Sequence, residues 1–134
     1  MKVLIIDDYF DYAVTLKDRF GFEGYEAMYC LNSTNAVDMA LEFKPDWLVL
    51  DVRMPYKSGV SVYKDLNEKA DFEFSVVFYS NYCNDQEVKK EFEDLRIPEA
   101  AIISKTTDMN GDVVDKIIPA LNAEHLKGGK KDGQ

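Results

Sequence analysis

Basic residues are scarce against acidic ones in this chain: 16 Lys and Arg stand against 25 Asp and Glu, a net charge of −9. Such a surface repels polyanions, so direct binding to nucleic acid or to an anionic membrane is not expected. No apolar run approaches the roughly 20 residues that span a bilayer, which argues against membrane insertion. The opening residues, one lysine and four apolar side chains ahead of two aspartates, do not read as a signal peptide. Cysteine is nearly absent: Cys30 and Cys83 lie far apart, with no CxxC spacing. Two free thiols in a reducing cytoplasm are therefore expected. There are no internal repeats, and Gly128-Gly129-Lys130 lacks the preceding strand and loop of a nucleotide-binding P-loop.

What remains is an ordinary globular composition, 46% hydrophobic and 31% charged in 134 residues, the size of one domain. Short apolar runs alternate with longer amphipathic stretches, the trace of an α/β fold with a parallel sheet. Strands are predicted at Lys2–Ile6, Glu26–Leu31, Trp47–Leu50, Ser75–Tyr79 and Ala101–Ser104. Three are nearly continuous apolar runs, as in strands covered by helices on both faces. Helical spacing predicts a first helix over Phe10–Phe20 stopped by Gly21, and a second capped at Asn32-Ser33-Thr34 and closed by Pro45. Further helices are expected from about Ser58, from near Asp85 and from Asp112, the last interrupted by Pro119. Residues 1–124 read as the domain and 125–134 as a disordered tail or linker stub.

The chemistry-bearing residues stand where the apolar runs end. Val3-Leu4-Ile5-Ile6 delivers Asp7-Asp8, and Trp47-Leu48-Val49-Leu50 delivers Asp51. Two more runs end in Ser80 and Lys105. In a doubly wound sheet, ligands bind beyond the carboxyl ends of the strands, so all five map to one edge. Each has a bland reading alone, as a helix cap, a turn cap or a surface lysine. Together they make a magnesium-assisted phosphoryl site. Oxygen-rich carboxylate clusters suit Mg²⁺. Asp8 and Asp51 are expected as direct ligands, Asp7 as an outer one through water, and the Arg53 carbonyl as a backbone ligand. Asp51 is the expected nucleophile, with the Ser80 hydroxyl and the Lys105 ammonium holding phosphoryl oxygens.

From Val3 to about Leu121 the chain strongly resembles the receiver domain of bacterial two-component response regulators. The most specific piece is Asp51-x-x-Met54-Pro55-x-x-x-Gly59, backed by Asp7-Asp8 and Lys105. The resemblance implies a flavodoxin-like sheet of five parallel strands in the order 2-1-3-4-5. It also implies Asp51 as acceptor of a phosphoryl group from a sensor histidine kinase or a histidine phosphotransfer protein. Ser80 would be the switch hydroxyl and Ile102 would stand at the switch position usually held by an aromatic. Arg53, Asn81 and Tyr82 would tune the lifetime of the acyl phosphate. Output would pass to a downstream protein target, and enzyme activity would extend at most to the chain's own phosphorylation and dephosphorylation. His125, the only histidine, is expected to be an exposed helix-end residue rather than a phosphodonor. The chain departs from the family pattern at Thr106, where a proline usually follows the lysine, and at Ile102. Those departures suggest the alternative of a phosphorylation-independent interaction module with the same fold.

Overall fold

The structure, a computed structural model, describes residues 1–81, 85–104, 115–119 and 127–128. In chain order the elements are β1 (Lys2–Ile6), α1 (Phe10–Phe22), β2 (Glu26–Cys30), α2 (Ser33–Phe43), β3 (Trp47–Leu50), α3 (Gly59–Lys69), β4 (Phe74–Ser80), α4 (Gln86–Asp94) and β5 (Ile102–Ser104). Residues 115–119 are helical (α5), and Lys127–Gly128 form a short β6.

The apolar runs become strands because they can be buried from both sides. All four residues of β3 and all seven of β4 are buried. Side chains alternate across the pleat, and the alternation sorts the core into two layers. Leu4, Ile6, Leu48, Leu50, Val76 and Phe78 face a cluster with α2, α3 and α4. Val3, Ile5, Trp47, Val49, Val77 and Tyr79 face the other, completed by Leu16 and Phe20 of α1 and Ile117 of α5. Fully burying one such side chain stabilises the fold by about 1.5–3 kcal/mol.

The five main strands are parallel, in the order β2-β1-β3-β4-β5. This is the doubly wound, flavodoxin-like order implied by the sequence, and it puts β1, β3 and β4 side by side at the centre. The expected cap at Asn32 is in place, and the expected helix starts at Ser58 and Asp85 prove to be caps as well. Asn32, Ser58 and Asp85 accept backbone N–H bonds at the starts of α2, α3 and α4.

Three expectations need correction. Helix α1 runs through Gly21 to Phe22, and the left-handed turn sits at Gly24, φ 95°. A helix-interior glycine costs only about 1 kcal/mol relative to alanine, too little to end a helix whose packing continues. Strand β5 begins at Ile102, because Pro98 leads into a 3₁₀ turn over Glu99–Ala101. Within the tail expected to be disordered, Lys127–Gly128 pair antiparallel with Phe74–Ser75. The cause is a mismatch in length: β5 covers only Phe78–Ser80 of β4, leaving backbone groups of its first residues open to another strand.

Candidate functional site

The site is built from the rungs of the sheet just past the ends of the strands. The Asp7 amide still donates to the Cys30 carbonyl (3.1 Å) and the Asp51 amide to the Ile6 carbonyl (2.9 Å). Both carboxylates therefore leave a backbone that is already fixed. Asp7 is fully buried, Asp51 is 4% exposed and Asp8 faces solvent. One carboxylate oxygen from each of the three lies within 4.8 Å of the others. Three like charges that close repel one another, and two of them are shielded from water. A hard divalent cation fits this donor set, because it takes carboxylate oxygens and relieves their repulsion.

The two buried carboxylates, Asp51 and Asp7, are held by donors of their own. The Val52 amide donates to Asp51 Oδ1 (2.9 Å). The Tyr9 amide donates to Asp7 Oδ1 (3.0 Å), and the Tyr79 hydroxyl donates to Asp7 Oδ2. Burial, joined by the charges of Asp7 and Asp51, pushes the Tyr79 phenol far above its ordinary value. It therefore stays protonated and remains a donor.

The loop after Asp51 is packed onto α3 and α2. The Gly59 amide donates to the Val52 carbonyl (2.7 Å). A Cβ at Gly59 would lie 1.9 Å from the Asp51 carbonyl oxygen, so the glycine of the motif is required by close packing. The Ser33 hydroxyl donates to the Pro55 carbonyl (2.5 Å), tying the loop to α2. Between these anchors Tyr56 adopts φ 73° and is 89% exposed. A bulky side chain in the left-handed region is strained, which is common in loops that carry function.

On the other side of Asp51, Ser80 is fully buried at the end of β4 and pairs with Ser104 of β5. Asn81 is exposed just beyond it. The exposed Arg53 side chain reaches across the mouth to Asp85, the cap of α4, at 2.9 Å. Ile102 packs partly against the core and lines a cavity of about 520 Å³ with Phe92, Ile97 and Lys89. Lys105, Thr106, Tyr82, Cys83 and His125 lie outside the described residues.

Sequence reasoning missed three of these contributors. Tyr79 read as one more core aromatic, although a buried phenol usually has a partner. Ser33 read only as part of a cap, and Asp85 only as a helix start. Each acts on a partner at least 22 positions away in sequence.

The comparisons agree with this geometry. A family model for the response regulator receiver domain matches residues 3–111. The chain is 32% identical over 63 residues to sporulation initiation phosphotransferase F of Bacillus subtilis, covering 47% of this chain and 51% of that protein. It is 37% identical over 73 residues to response regulator MprA of Mycobacterium avium, covering 53% of this chain and 31% of that one. The matches thus span about half and about a third of these relatives. Among solved structures, the response regulator domain of Thermotoga maritima CheB superposes with a TM-score of 0.69 at 23% identity, over 92% of this chain and 98% of that one. Response regulator TrrA of Thermotoga maritima, solved in complex with Mg²⁺-BeF, gives 0.68 at 20% identity over 89% and 97%. These structural likenesses show the fold. With the family match extending over most of its length, the chain belongs to the response regulator receiver domain family.

Proposed function

We propose that the chain is a phosphoacceptor switch, phosphorylated on Asp51 by a sensor histidine kinase or a histidine phosphotransfer protein. The observation that carries the reading is the cluster of Asp7, Asp8 and Asp51 within 4.8 Å, with Asp51 at the end of a buried strand. Asp8 and Asp51 would bind Mg²⁺ directly, Asp7 through water, and the Arg53 carbonyl would complete the protein's share. The cation supplies neutralisation of charge on the carboxylates and the phosphoryl oxygens. A carboxylate oxygen of Asp51 attacks phosphorus, the P–N bond of the phosphohistidine breaks, and the imidazole departs with that electron pair. An acyl phosphate on Asp51 results. Holding the attacking oxygen in place is the protein's main contribution to such a transfer.

The Ser80 hydroxyl and the Lys105 ammonium would then bind the oxygens turned away from the metal. Ser80 shares its rung with Ser104 of β5, so a pull on Ser80 is passed to the edge strand that carries Ile102. Arg53, two residues past Asp51, and Asn81 and Tyr82, just past Ser80, would set how fast water reaches the acyl phosphate. The output is contact with a downstream protein rather than with nucleic acid, consistent with the net charge of −9. The site of action is the cytoplasm, and no enzyme activity is assigned beyond the chain's own phosphoryl chemistry. No described helix is long and apolar enough to cross a membrane.

Intact-protein mass spectrometry after incubation with Mg²⁺ and acetyl phosphate tests the reading. One added phosphoryl group is expected, labile to hydroxylamine and absent from Asp51→Ala. The same adduct on Asp51→Ala would overturn the assignment. No adduct on folded wild type, with beryllofluoride also failing to bind, would favour the phosphorylation-independent module.

A further inference from the structure

One side-chain hydrogen bond among the described residues crosses three strands. In the register of the sheet Ile6 pairs with Leu50 and Leu50 with Phe78. One residue further along, Asp7, Asp51 and Tyr79 therefore stand in a row at the ends of β1, β3 and β4. Adjacent strands are about 4.8 Å apart, so β1 and β4 are separated by about 9–10 Å. The fully buried Tyr79 spans that gap and donates its hydroxyl to Asp7 Oδ2. Oδ1 of the same carboxylate accepts from the Tyr9 amide. With a donor on each oxygen at the least, rotation of the carboxylate about its Cβ–Cγ bond is blocked. The ring itself is wedged by Tyr12, whose centroid is 6.3 Å away in an edge-on arrangement. Phenylalanine would pack this layer without placing a polar atom in it.

We propose that Tyr79 is a positioning residue for the divalent cation, fixing the carboxylate of Asp7 in the orientation that metal binding needs. The inference rests on the proposed metal-dependent function and adds a residue to it. Tyr79 does not touch the cation; it acts through Asp7. Partners that orient metal-binding groups in this way commonly change metal affinity about 10–100-fold when removed. Because Tyr79 adjoins Ser80, the same side chain also ties the metal side of the site to the strand bearing the switch hydroxyl.

Calorimetric titration with Mg²⁺ of wild type, Tyr79→Phe, Asp7→Asn and the double variant tests this. Tyr79→Phe is expected to weaken Mg²⁺ binding about 10-fold or more while its metal-free melting transition stays cooperative. In the Asp7→Asn background the same change should alter affinity less than about 2-fold, because the group it positions is gone. Tyr79→Met, which also lacks the hydroxyl and packs adaptably, carries the same expectation if Tyr79→Phe fails to fold. Unchanged or tighter Mg²⁺ binding by the folded variant would overturn the proposal, as would an equal loss with and without Asp7. Wild type that binds no Mg²⁺ would instead overturn the underlying metal-site reading, and the proposal with it.

Discussion

The two sides of Asp51 are built very differently. On the acid side, Asp7 and Asp51 emerge from β1 and β3, which are buried in the centre of the sheet and locked by continuing ladder bonds. Gly59, Ser33 and Tyr79 then clamp the carboxylates and their loop from α3, α2 and β4. On the response side, Ser80 hands over to a three-residue edge strand beside a cavity of about 520 Å³. Under the proposed function the difference separates two tasks. Phosphoryl chemistry needs groups held to a fraction of an ångström, whereas a switch needs an element with room to settle in a second arrangement.

The contrast breaks most severely at Gly59. Gly59→Ala is expected to cost about 3–5 kcal/mol in urea unfolding, since its Cβ would collide with the Asp51 carbonyl and force the loop off α3. An effect under about 1 kcal/mol would show that the acid-side loop yields easily. Of similar size, Phe78→Ala in the fully buried part of β4 should cost about 3–5 kcal/mol. Phe92→Ala, buried but at the wall of the cavity, should cost less, because the side chains lining that cavity have room to settle into the space left. Equal losses would erase the distinction in packing.

Overpacking sharpens the comparison from the other direction. Val77→Phe in the closed core should destabilise by about 1–3 kcal/mol. Ile102→Tyr at the cavity should change stability by less than about 1 kcal/mol, read from the same urea curves. The smallest effect concerns the link between the two sides. Asp85→Ala removes the cap of α4 and one partner of Arg53, for an expected loss of about 1 kcal/mol. Phosphorylation by acetyl phosphate should still occur in that variant.

Sequence alone made the acid side readable because its signals are local. A four-residue apolar run ending in Asp51, and another ending in Asp7-Asp8, fix both the strand and the group it presents. The limits of β1 and β3 follow directly from those runs. Local signals fail where a role depends on a neighbour in the sheet. Tyr79 gains its partner only once β4, β3 and β1 are adjacent, and Ser33 meets Pro55 only when α2 packs beside the loop. The response side was less legible for a related reason. Its strand is short, Pro98 displaces its start, and the open stretch of β4 recruits Lys127–Gly128 from a segment with no strand pattern of its own.

Hydrogen exchange measured by mass spectrometry, with and without Mg²⁺ plus beryllofluoride, tests the central claim that a preformed acid site is read out at the β4–β5 edge. The account predicts changes in peptides covering residues 86–104 at least as large as those covering 51–59. Changes confined to 51–59, with 86–104 exchanging as before, would contradict it.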